Sequence, residues 1–199
     1  MKKIFLLAVI PTLPLLTHAA LLPDRASFAY GQFFSPFTNR HAEIDQYRLG
    51  LAWELSDELW STHNVLIQSY VELALSQWRS RLNPTDDIPG IGADRVKQIS
   101  LSPVFRFTST SPLFAETSPF LDLGVSVSYQ SKEDIEQQHP SGINMGGHWQ
   151  FETRAMVGLN LGESKPFEVS YGWMHYSNAY LNDANEGLDF QTLQMTYLF

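Results

Sequence analysis

The 199 residues carry 13 Lys and Arg against 21 Asp and Glu, a net charge of −8, which excludes the basic face that nucleic acid requires. No cysteine is present, so disulfide frameworks, thiolate metal sites and cysteine nucleophiles are excluded as well. Charged residues are only 17%, against about 25% in ordinary soluble domains, and aromatics reach 13%.

The chain opens "MKKIFLLAVIPTLPLLTHAA". Two lysines, an apolar run and small residues at its end predict a secretory signal peptide. Cleavage after Ala19 leaves Thr17 and Ala19 at the small-residue positions, with Ala20 as the alternative. A membrane anchor is the competing reading, but Pro11 and Pro14 interrupt the run and it is short for a spanning helix. Residues 20–199 then form one domain, with no internal repeat, linker or low-complexity tract.

Beyond residue 26 the pattern has period two. A first strand is expected near 27–35, where "SFAYGQFFS" alternates poorly, and others near 44–55 and 65–78. In "QISLSPVFRFT", Ile99, Leu101, Phe105 and Phe107 alternate with Ser100, Ser102 and Arg106. "FLDLGVSVSYQ" and "HWQFETRAMVGLNLG" repeat the alternation, and further strands are expected near 165–177 and 188–199. The count is eight. A soluble sandwich turns such apolar faces inward, whereas a transmembrane barrel turns them to lipid. Strands of ten residues or more, long enough to cross a bilayer when tilted, and the even count favour an all-β, eight-stranded antiparallel transmembrane β-barrel. Glu54, Glu72, Arg106, Asp122, Glu152, Arg154 and Glu168 fall on the polar faces, as expected for a charged lumen.

The terminal stretch "LQMTYLF" places Leu193, Met195, Tyr197 and Phe199 on one rail. A terminal aromatic on such a rail resembles the insertion signal of bacterial outer-membrane proteins. With both termini periplasmic, the connections after the first, third, fifth and seventh strands face outward. Two of these, "RSRLNPTDDIPGIGADR" and "SKEDIEQQHPSGINMGG", are long and polar. "SDELWSTH" and "GESK" are short inner connections, and "STSPLFAETS" is intermediate.

The outer end of the seventh strand begins "WMHYSNAYLNDANEGLDF". The rail Phe167, Val169, Tyr171, Trp173 continues to His175 and Ser177, and counting back from Phe199 along its own rail reaches Asp189. All three polar groups are therefore expected on the exterior wall at the rim. Polar groups on a lipid-facing wall are costly and mark function, and a site there calls for a lipid substrate. Taken alone, a His-x-Ser pair arises by chance far more often than by catalysis. His139 and His148 flank a loop with Asp134 and Glu136, but no metal-ligand spacing is met.

The "HYSNA" segment, the loop holding Asn185 and Gly187, the acid fourteen residues after the histidine and the aromatic C-terminus resemble the PagL-type lipid A 3-O-deacylases. The motif covers about fifteen residues, and the rest of the chain matches in architecture. The resemblance implies an outer-membrane esterase that removes the acyl chain at position 3 of lipid A, with lipopolysaccharide as substrate, outer-membrane lipids as surroundings, and no cofactor or metal. It implies Ser177 as nucleophile, His175 as base, Asp189 as acid, and Asn178 and Asn185 as oxyanion or positioning residues. The family's acid is usually Glu, so Glu186 is a rival to Asp189. Asn178, Asn185 and Gly187 equally suit a turn with positive φ. Arg79, Arg81, Arg95, Lys97 and Lys132 lie around the outer loops, where lipid A phosphates or plain solvent would meet them. A non-catalytic structural or adhesive barrel and an acyltransferase are the alternatives, and the oligomeric state, a homodimer included, stays open.

Overall fold

The computed structural model describes residues 22–35, 42–82, 93–114, 117–136, 142–161 and 166–199. The expected signal peptide lies outside them. Alternation becomes strand in every place it was expected: β1 (Arg25–Phe33), β2 (Ile44–Ser61), β3 (Val65–Ser80), β4 (Arg95–Ser109), β5 (Ser118–Gln130), β8 (Trp149–Asn160), β9 (Phe167–Ser177) and β10 (Leu188–Leu198). Two short strands, β6 (Asp134–Ile135) and β7 (Ile143–Asn144), pair with each other outside the wall. The eight long strands close in the order β1-β10-β9-β8-β5-β4-β3-β2, each antiparallel to its neighbours. Closure leaves no sheet edge, the condition for a sheet in hydrocarbon, where an unpaired backbone group is costly.

The rails sort as a membrane demands. Leu49, Leu75, Leu101, Val125, Val157, Leu193 and Met195 are all exposed on the outside. Charge goes inward. Arg48 pairs with Glu72 at 2.7 Å and Glu152 at 3.0 Å, and Arg154 meets the same Glu72 oxygen at 2.7 Å. Arg106 grips Asp122 through two bonds of 2.8 Å and reaches Glu168 at 2.5 Å. Arg25 closes the end that carries the chain termini on Glu54. Removing one partner from such a set would strand a buried charge, at a cost of about 3–5 kcal/mol.

The lumen is not polar throughout. Towards the end carrying the long connections, Ile44, Trp78, Val96, Met174, Tyr176, Leu188 and Phe190 form an apolar core. The β6–β7 hairpin adds Ile135, Ile143 and Met145 to it. β1 alternates poorly because its inward positions include the small Ala29 and Gly31, where a Cβ would lie 2.8 Å from Thr192 Oγ1 and 3.1 Å from Gln46 Oε1. Two expectations change. β2 runs on through "SDELWS" to Ser61, with register shifts after Glu54 and Ser56, leaving only three residues before β3. The connection after β5 is not all loop, because its apolar residues plug the barrel mouth.

Candidate active site

β9 and β10 pair so that Asp189 stands directly opposite His175. Both project outward, on the rail shared with Tyr171 and Leu193, while Tyr176, Leu188 and Phe190 between them are fully buried inside. The His175 Nδ1 to Asp189 Oδ1 distance is 2.9 Å. A carboxylate only accepts, so Nδ1 carries the proton and Nε2 is left as an acceptor. The pair is partly shielded, with side chains 29% and 17% exposed.

Trp173 was legible only as a lipid-facing residue, yet it belongs to the cluster. Its Nε1–H donates to the same Asp189 Oδ1 at 2.8 Å, and its ring stacks on the imidazole at 5.6 Å. The signal was present in the i, i+2 spacing of Trp173 and His175 on one face. Ser177 is the next outward residue above His175 and has Phe151 as its cross-strand partner. Its hydroxyl makes no hydrogen bond to the imidazole in this structure; such bonds commonly tighten only with substrate bound.

The loop behind Ser177 is held in several places. Asn178 is fully buried, and its amide donates to the carbonyls of Met145 at 2.9 Å and Ala184 at 2.6 Å. The Asn178 backbone N–H donates to Asn185 Oδ1 at 2.8 Å. Glu186 faces away from the imidazole: its Oε2 accepts the Asn144 N–H at 2.6 Å, and its own N–H donates to the Asn144 carbonyl at 3.1 Å. The β6–β7 hairpin is thus bolted to this loop. The positive φ expected of Asn178, Asn185 or Gly187 occurs instead at Ala179 (52°) and Tyr180 (61°), each costing about 1–2 kcal/mol. Backbone in that region persists only where surrounding bonds over-determine it, and the two asparagines supply them. Gly187 serves close approach: a Cβ there would lie 2.6 Å from His175 Cε1. His148 is tied to the Gln130 carbonyl at 2.8 Å and stacks on Tyr129, and His139 lies outside the described residues.

A closed antiparallel barrel with an ionic lumen and an apolar exterior defines a transmembrane β-barrel, here with a His–Asp–Trp cluster on its outer wall. Residues 45–197 match the family model for lipid A 3-O-deacylase (PagL), and the chain belongs to that family. It is 28% identical over 195 residues to lipid A deacylase PagL of Pseudomonas aeruginosa strain PAO1, covering 97% of this chain and 96% of that protein. The crystal structure of the outer membrane enzyme PagL superposes with a TM-score of 0.68 at 23% identity, over 88% of this chain and 99% of that one. Neisserial surface protein A shares the fold at a TM-score of 0.51 and 10% identity, over 88% of this chain and 95% of that one.

Proposed function

We propose that this barrel hydrolyses the ester-linked acyl chain at position 3 of lipid A through Ser177, His175 and Asp189. The observation that carries the reading is the outward His175–Asp189 bond of 2.9 Å at the rim. That bond leaves Nε2 as a base on the same rail as the Ser177 hydroxyl. Ser177 Oγ attacks the ester carbonyl while Nε2 takes its proton. The carbon–oxygen bond to the sugar then breaks, and the imidazolium returns the proton to the sugar oxygen. Water deprotonated by His175 releases the fatty acid from Ser177. Asp189 holds the tautomer and stabilises the imidazolium. The Asn185 amide, its oxygen fixed on Asn178, supplies an N–H donor for the oxyanion, while Asn178 acts as a clamp. Substrate arrives sideways from the leaflet.

The test is mass spectrometry of lipid A incubated with purified protein. Loss of one 3-hydroxyacyl chain is expected, and Ser177→Ala should abolish it, with a fall on the order of 10⁶ in kcat and unchanged heat-modifiable folding. Gain of a chain would indicate transfer, and an unchanged lipid a non-catalytic barrel. A Ser177→Ala protein retaining more than a few per cent of activity would remove Ser177 from its role.

A further inference from the structure

The wall opposite the active site has its own chemistry. Arg79 on β3 and Arg95 and Lys97 on β4 face outward at the rim of the long connections. They are the only outward cations on the eight wall strands among the described residues. Arg79 stands directly opposite Arg95, and Lys97 opposite Gln77. Like charges so paired destabilise a sheet; on its other side Arg79 has Asp45 of β2 as its cross-strand partner. Arg95 has its neighbour Asp94 at 3.8 Å, and Arg79 has no ion pair among the described residues. Set against Asp45 and Asp94, the three cations leave this wall net positive in a chain of net charge −8, and so complementary to an anion.

Directly below lies a cleft of about 400 Å³ on the lipid-facing side, lined by Phe28, Tyr47, Leu49, Leu75, Gln77 and Lys97. Cations above an apolar cleft complement a phosphorylated headgroup above acyl chains. The wall is separate from the catalytic rim. β8 and β5 separate the cations from it on one side and β1 and β2 on the other, and the cleft extends across β2 to Phe28 of β1. Cations on two adjacent strands, about 4.8 Å apart, suit a headgroup with more than one phosphate.

We propose that the β3–β4 wall is a second lipid site, which holds a phosphorylated, multiply acylated lipid of the lipid A type without hydrolysing it. This goes beyond the catalytic reading and needs none of its residues.

The absence of cysteine allows a clean test. A nitroxide is attached at Ile99→Cys, two residues below Lys97 on the same rail, or at Val157→Cys on the β8 wall as control. Labelled protein in neutral detergent is titrated with diphosphoryl lipid A, with the same lipid stripped of phosphate, or with phosphatidylglycerol, on a Ser177→Ala background. Mass spectrometry checks that the lipid stays intact, so hydrolysis by an unforeseen nucleophile is seen separately. Diphosphoryl lipid A should immobilise the Ile99 label at least tenfold below the concentration of either comparator. Replacing Arg79, Arg95 and Lys97 together by Gln should weaken that response on the order of a hundredfold, from about 1 kcal/mol per cation. The Val157 label should respond alike in both backgrounds. An Ile99 response unaltered by the three substitutions, or equal for phosphatidylglycerol, would overturn the proposal.

Discussion

Neutralising Asp189 tests the site at its most informative atom. Asp189 Oδ1 accepts two hydrogen bonds, from His175 Nδ1 at 2.9 Å and Trp173 Nε1 at 2.8 Å. In Asp189→Asn the amide has one oxygen and one NH₂ to place. An indole N–H only donates, so Trp173 selects the orientation that keeps oxygen towards both rings. The imidazole therefore keeps its productive tautomer and loses only the charge partner of its protonated form. At about 4 Å and an effective dielectric of about 20, that partner contributes about 4 kcal/mol, or about 10³ in kcat. The loss of about 10⁴ that follows a wrong tautomer should appear only when Trp173→Phe is added. Trp173→Phe alone should cost about tenfold, one charge-assisted bond of about 1.5 kcal/mol. Release of 3-hydroxy fatty acid from lipid A is measured for all four proteins in one detergent. Equal rates for Asp189→Asn and the double variant would refute the claim that Trp173 orients the acid. Activity within tenfold of the parent for Asp189→Asn would remove Asp189 altogether.

Gly187→Ala should push the imidazole off its partner and lower kcat about 100-fold, the scale of a displacement of about 1 Å in a catalytic group; the barrel should still show heat-modifiable migration. Glu186→Gln should stay within about threefold of the parent, because the amide oxygen can still accept the Asn144 N–H. Glu186→Ala should cost about tenfold and expose the 178–187 loop to faster amide exchange; a damaging Gln variant with an innocuous Ala variant would contradict this. Deleting Phe199, 73% exposed at the end of the outward rail and in contact with Tyr197, should reduce assembly in cells while leaving the specific activity of assembled protein unaltered, read as folded yield against turnover.

The strands were legible because the lipid-facing and lumenal sides of a barrel alternate residue by residue, so period two survives in Leu121 to Tyr129 and Trp149 to Leu159 without reference to a partner strand. The outward placement of His175, Ser177 and Asp189 followed from parity, since each could be counted from an apolar rail, while the roles expected of them came from the family resemblance. The contributions of Trp173, Asn144 and Met145 were hidden for a different reason. Each depends on a contact to another element or on which atom of a ring meets an acid, and a rail position carries neither. The apolar upper lumen was hidden likewise: Trp78, Tyr176 and Phe190 meet at centroid distances of 4.9 to 5.9 Å only once three strands have closed around them. Sequence reading also put the turn strain on asparagine, whereas buried hydrogen bonds move it to Ala179 and Tyr180.

The apolar upper lumen and the outward placement of His175, Ser177 and Asp189 have one cause. Below the rim, β9 and β10 obey the membrane rule, with Val169, Tyr171, Leu193 and Met195 outward and Glu168, Ser170, Thr192 and Gln194 buried inside. Above it the rule reverses: Met174, Tyr176, Leu188 and Phe190 are buried inside, while His175, Ser177, Asp189 and Gln191 face out. A sheet reverses in this way where its outer medium changes from hydrocarbon to a hydrated headgroup layer, since apolar side chains then gain by burial and polar ones by hydration. The switch on these strands thus marks the membrane boundary, between the Tyr171–Leu193 rung and the His175–Asp189 rung. On β3 and β4 it falls between Leu75–Ile99 and Gln77–Lys97. Polar groups facing lipid are costly at the midplane but nearly free at the interface, so the outward His175, Ser177 and Asp189 are tolerable at this level and not two rungs lower. The ester bonds of a lipid lie at that same level, between its headgroup and its chains. On the proposed reading the barrel need not lift its substrate out of the membrane, because Ser177 and His175 stand at the depth where the bond already sits.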